Sequence, residues 1–148
     1  FYWASFHEAN LAGAVLRDCD LRGAILNGAN LTGADLRGAS LGLDNLGGST
    51  DLHGADLTAA DLRGADLSGA EFLSARLVGA DLRGARALTL LPDRPTRLSG
   101  ADLTAARLEG AELTGATYDD TTRWPARFDP ERAGLIRRRQ NSNVRRPR

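Results

Sequence analysis

Lysine and methionine are absent from this sequence, cysteine occurs once and histidine twice. A lone thiol, Cys19, cannot form a disulfide within the chain. It also leaves no Cys/His group with the ligand number of a zinc site. No segment approaches the roughly 20 apolar residues of a membrane-spanning helix, and the first residues do not have the layout of a signal peptide. A soluble, cytoplasmic protein is therefore expected. With no initiator methionine, the sequence is expected to start inside a longer or processed protein. Glycine is plentiful, at 17 residues, yet it is never spaced as the phosphate-cradling GxxxxGK loop.

What the sequence has instead is a five-residue unit, close to Ala-Asp/Asn-Leu-X-Gly, repeated through ANLAGAVLRDCDLRGAILNGANLTGADLRGASL at residues 9–41. Five residues on an α-helix advance about 140° past a turn, so the leucines would spiral around the axis. On a flat strand an odd spacing sends successive leucines to opposite faces. Both conflicts vanish if the chain turns a corner once per unit, so that four units close a square and every leucine returns to the inside. The alanine two positions before the leucine shares its inward face, and the residue between them points out, where Asp20, Asn30, Asp35, Asp56, Asp61, Asp66 and Asp81 stand. Glycine two positions after the leucine marks the corner. Leu21, Leu31, Leu36, Leu62, Leu67 and Phe72 are thus expected in the core, with Cys19 inward in an alanine position.

The runs NLTGADLRGA, DLTAADLRGADLSGA and ADLTAARLEGAELTGA resemble the pentapeptide-repeat family over about residues 1–122. The resemblance implies an all-β solenoid, a right-handed quadrilateral parallel β-helix with four repeats per coil. Counting units gives about six coils and, at about 4.8 Å per strand, a rod on the order of 28 Å long.

Three places depart from the period. From Phe1 to Leu46 the central residue recurs every five positions, but Leu46 to Leu52 is six, with Asp44 where an inward alanine belongs. This phase slip near 42–51 is read as a one-residue bulge at a corner. Within 88–97, LTLLPDRPTR loses the repeat, and its two prolines predict an exposed loop. Leu90, Leu91, Asp93 and Arg94 are its candidate partner-binding residues, although a tolerated insertion, with Leu90 and Leu91 folded back on the coil, is the preferred reading. After residue 122 a cap over 123–140 is expected: Trp124 and Phe128 cover the last Leu/Ala layer, and Asp129-Pro130-Glu131 starts a short helix to about Gln140. Residues 141–148 form a basic tail expected to be disordered. At the other end Phe1 and Phe6 hold inward positions, while Tyr2 and Trp3 face out near an open end. A homodimer through an end of the solenoid is a corollary.

The net charge of zero hides a division, with 17 acidic residues against 10 Arg before residue 123 and 2 against 9 after it. Resemblance to the quinolone-resistance members of the family implies one alternative: a DNA mimic binding type II topoisomerase, DNA gyrase. Duplex DNA carries about one charge per 1.7 Å, so such a rod would need on the order of 16 negative charges. Asp20/Arg22, Asp61/Arg63 and Asp81/Arg83, stacked on one side if the phase is kept, would neutralise one another. Asp51, Asp56, Asp66 and Glu71 are the candidates for a more acidic face. His7 and His53 follow inward residues and read as surface groups. Carboxylates on a convex surface lack the sheltered pocket that catalysis needs. No catalytic, metal-binding or cofactor-binding constellation is found. The sequence reads as a non-enzymatic scaffold or protein-interaction module with an unidentified protein partner and no small-molecule substrate.

Overall fold

The computed structural model describes residues 1–89 and 91–139. Each five-residue unit supplies one residue to a parallel ladder, and the ladders form four columns. The first holds Ser5, Ile25, Asp51, Glu71, Arg97 and Thr117; the second Asn10, Asn30, Asp56, Arg76, Asp102 and Arg123. The third holds Val15, Asp35, Asp61, Asp81 and Arg107; the fourth Asp20, Ser40, Asp66, Arg86 and Glu112. The chain is therefore a four-sided parallel β-helix whose strands, the last pair apart, are one bridge long.

The unit explains the ladder. Its leucine amide donates to the bridge residue of the next coil, and that residue's amide donates back to the alanine carbonyl, as in Leu26 to Asp51 (2.7 Å) and Asp51 to Ala24 (3.0 Å). The next alanine amide closes the corner onto the leucine carbonyl, Ala29 to Leu26 at 3.0 Å. The outward Asp or Asn does local work: its Oδ1 accepts the amide two residues on, at 3.0 Å in Asn30–Thr32, Asp56–Thr58 and Asp66–Ser68. Leu21, Leu31, Leu36, Leu62 and Phe72 are fully buried and Leu67 is 2% exposed. Each such side chain contributes about 1.5–3 kcal/mol of burial. Cys19 is half-buried.

The register corrects the one-residue bulge. The step from coil to coil is 20 residues in Ser5↔Ile25 but 26 in Ile25↔Asp51, and 26 again in Glu71↔Arg97. Residues 41–50 and 87–96 are thus two equal excursions of six extra residues at the same corner. Leu46, although in phase with Leu36 and Leu41, is 85% exposed and no core residue. Because the excursion adds six residues and not one, Asp20 stands in the fourth column, and Asp35 takes its place beside Asp61 and Asp81.

The C-terminal helix does not form. Asp129 Oδ1 accepts the Arg132 amide (3.1 Å) as an N-cap should, but only one turn follows. Leu135 N–H bonds to Pro130 C=O and Gly134 N–H to Glu131 C=O, both at 3.0 Å, with Gly134 at φ +80°. This is a Schellman closure, and the left-handed glycine ends the helix after that turn. The chain then pairs as a strand, β2 (Ile136–Arg137), parallel to β1 (Thr117–Tyr118). Trp124 packs edge-on to Tyr118 with ring centroids 5.6 Å apart and lies 5.1 Å from Phe128. Leu90, Gln140 and the tail at 141–148 lie outside the described residues. At the opposite end Phe1, Tyr2 and Trp3 are 60, 46 and 55% exposed. Among the described residues no helix is long and apolar enough to cross a membrane.

Candidate functional site

The two excursions stack on one another to form a ridge along one corner. In the first, Asp44 is buried; its Oδ1 accepts the amides of Leu46 (2.8 Å) and Gly48 (2.6 Å), and its own amide donates to Gly48 C=O (2.9 Å). These bonds wind 44–48 into a local turn that turns Leu46 outward. Thr50 then returns the chain to the helix, its buried hydroxyl donating to Leu21 C=O at 2.9 Å. Thr96 plays the same part in the second excursion, donating to Leu67 C=O at 2.8 Å. Arg94 Nη1 donates to Gly47 C=O at 2.8 Å and ties the second loop to the first. Leu91 is 45% exposed, and Asp93 lies beside Arg94, 3.9 Å away. The sequence reading marked Asp44 only as a break in the pattern and missed Thr50 and Thr96; the signal was Thr in the alanine position of Thr-Asp-Leu and Thr-Arg-Leu, immediately after each break.

The third side carries a ladder of alternating charge. Asp35–Arg37, Asp61–Arg63 and Asp81–Arg83 pair within their units at 2.8, 2.6 and 2.6 Å. Arg37 reaches Asp61 (3.6 Å), Arg63 reaches Asp81 (3.8 Å), Arg107 also reaches Asp81 (3.6 Å), and Arg17 pairs with Asp35. Hydrogen bonds from Arg37 and Arg63 hold the carboxyls of Asp35 and Asp61 below the usual range. Arg83 lowers Asp81 to about 2, and on the fourth side Arg22 does the same for Asp20.

Asp51, Asp56, Asp66 and Glu71 do not form one face: Asp51 and Glu71 adjoin in the first column, Asp56 stands in the second and Asp66 in the fourth. Three of them pair with an Arg one coil on, Asp56–Arg76 at 3.2 Å, Asp66–Arg86 at 3.8 Å and Glu71–Arg97 at 3.7 Å. Asp51 accepts the His53 amide at 2.9 Å. His7 and His53 are exposed, and among the described residues no His, Cys, Asp and Glu gather as a metal site. Two grooves stand out. One of about 310 Å³ lies under the second loop between Pro92, Asp93, Pro95, Arg97 and Arg138. The other, of about 340 Å³, lies at the C-terminal end between Ala106, Leu108 and the segment from Pro125 to Phe128.

A family model described as pentapeptide repeats matches in eight copies over residues 1–42, 50–86 and 96–117, leaving out most of both loops. Among solved structures, the pentapeptide repeat protein Rfr23 from the cyanobacterium Cyanothece 51142 is 29% identical, with 81% of this chain and 90% of that one covered and a TM-score of 0.62. A pentapeptide repeat protein of the Arabidopsis thaliana thylakoid lumen is 33% identical over 87% of this chain and 72% of that one, TM-score 0.54. A trypsin-treated form of QnrB1, a plasmid-mediated fluoroquinolone resistance protein, is 18% identical over 93% and 80%, TM-score 0.49, too distant to carry an argument. No curated protein sequence matches.

Proposed function

The chain belongs to the pentapeptide-repeat family, and on that premise we propose that it is a rigid, non-enzymatic scaffold whose two stacked loops are recognised by a protein partner. The observation that carries this reading is the Arg94–Gly47 bond, which joins loops far apart in sequence into one ridge with Leu46 and Leu91 exposed on it. Loops on a rigid frame are the usual seat of binding, and loops already held in place lose little freedom when a partner docks. The carboxylates support no second reading as a DNA mimic, because most of the Asp and Glu in the four columns are tied to Arg or to the chain's own amides. The test is site-specific photocrosslinking: a photoreactive residue at position 46 or 91 should capture one discrete protein, and the same residue at position 32 none. Equal labelling from all three positions, or none from the loops, would refute the ridge as the docking surface.

A further inference from the structure

Among the described residues, the C-terminal end of the solenoid is only half closed. Arg123 adds a layer to the second side, bonding to Ala101 and Leu103 at 2.9 and 2.8 Å, and Ile136 adds one to the first side, bonding to Ala116 at 2.8 Å. Between them the chain crosses the end without adding a rung to the third or fourth side, touching the fourth only at its far corner, where Gly115 N–H donates to Gly134 C=O at 2.9 Å. There the amides of Leu108, Gly110 and Leu113 and the carbonyls of Ala106 and Ala111 make no backbone hydrogen bond among the described residues. Everywhere lower in the ladder the equivalent groups are paired, Leu82 to Arg107 C=O at 2.8 Å and Arg107 to Ala80 C=O at 2.9 Å being the coil beneath. The result is a notch one strand deep and two sides long. Its mouth opens beside the 340 Å³ groove of Ala106, Leu108, Glu109, Pro125, Ala126 and Phe128.

We propose that this notch binds an extended segment of a partner polypeptide, which completes the coil by β-augmentation over Arg107 and Glu112. Unpaired strand edges bind backbone, and the pattern of free donors and acceptors asks for a chain that bends once, at Gly110. A second copy of this protein is the poorer occupant, because the cap stands one layer higher on the first and second sides and keeps a flat square end from seating. The groove takes one large apolar side chain of the segment against Leu108 and Phe128. The outward residues select by charge. Acid–base pairs between neighbouring coils recur on this solenoid, as in Asp81–Arg107 (3.6 Å) and Asp102–Arg123 (3.8 Å). The segment therefore carries an acid over Arg107 and, five residues later, a base over Glu112, which has no ion pair among the described residues. This site is separate from the loop ridge and stands or falls independently of it.

The experiment titrates the whole 148-residue chain into a fluorescein-labelled decapeptide, Ala-Asp-Leu-Thr-Gly-Ala-Arg-Leu-Thr-Gly, followed by anisotropy. Saturable binding is expected below about 1 mM protein, the range of a short flexible segment that pays its own ordering cost. Exchanging the peptide's Asp and Arg should weaken binding about threefold, the size of exposed cross-strand charge pairs. N-methylation of the peptide Asp, which removes the donor to Ala106 C=O, should weaken it about fivefold or more. Ala126→Trp fills the groove from an exposed position and should reduce binding at least about tenfold, while Thr32→Lys, also exposed, should not. No binding by 1 mM, binding indifferent to N-methylation, or binding untouched by Ala126→Trp would each overturn the proposal. Self-association abolished by Ala126→Trp, without peptide binding, would assign the notch to a second copy and overturn it too.

Discussion

The side chain of Leu43 fills the space that a Cβ on Gly69 would need: its Cγ would stand 2.4 Å from that atom. Gly69 is at φ +81°, so an added methyl meets both a strained backbone and a seated leucine. Gly64, at φ +66°, has nothing within 4 Å of its missing Cβ. Gly64→Ala should therefore cost about 1–2 kcal/mol, the left-handed strain alone, and Ala59 at φ +56° shows that the corner accepts alanine. Gly69→Ala should cost clearly more, about 3 kcal/mol or above, since the first loop must shift as well. Urea unfolding of the two variants measures the difference; equal midpoints would mean that Leu43 is not fixed there.

Inside and outside differ by one residue. Leu31 is fully buried and Thr32 is exposed. Leu31→Lys, like Leu62→Lys, places an ammonium in a closed apolar stack and should cost several kcal/mol. Thr32→Lys should stay within about 0.5 kcal/mol. Thermal melts followed by circular dichroism decide it.

Acid should weaken the rod through its charge ladder. An unfolded Asp titrates near 3.9, about, whereas Asp20 and Asp81 are held at about 2 and Asp35 and Asp61 are also lowered. With folded pKa values below unfolded ones, this stabilisation is complete above the unfolded pKa and is lost as pH falls through the folded values. The urea midpoint should hold level from about pH 7 to 5 and then drop between about pH 4 and 2. Asp81→Asn should make that drop shallower, and salt should reduce it at every pH. A midpoint independent of pH down to 2 would count against the ladder.

The chain should leave gyrase supercoiling unaffected at low micromolar concentration and should not protect the enzyme from a quinolone. Its carboxylates lie in different columns and most face an Arg. Protection that disappeared on deleting 88–95, or on reversing Asp51, Asp56 and Asp66 to Arg, would favour the DNA-mimic reading instead.

The hydrophobic period was enough to read the four-sided coil, because most inward positions are filled by the same two residue types, Leu and Ala, and no other backbone path buries them all. It misled where a side chain competed with the ladder for backbone amides. Leu46 keeps perfect spacing after Leu36 and Leu41, yet Asp44 captures the Leu46 and Gly48 amides and pulls that stretch out of the wall, a local contest that apolar spacing does not register. That same misreading put Asp20 on the wrong side. At the C-terminus Asp129 and Pro130 suggested a helix to about Gln140, but they open only a single turn, and Gly134 was the overlooked stop. The half-open end was illegible because nothing in the composition of 106–113 distinguishes an unpaired rung from a paired one.

The equal excursions give the chain a second, longer beat. One spacing along the sequence separates Leu43 from Thr89, Thr50 from Thr96 and Gly69 from Gly115, and each pair does the same job: Leu43 seats on Gly69 as Thr89 seats on Gly115, with Thr89 Oγ1 2.4 Å from the missing Cβ. The natural module is thus a plain coil plus a looped coil. Splicing in one more such module would lengthen the rod by about 9.6 Å, two strand spacings, and add a third step to the ridge without disturbing either end, so a protein of this design can change its reach and the size of its binding edge in a single duplication.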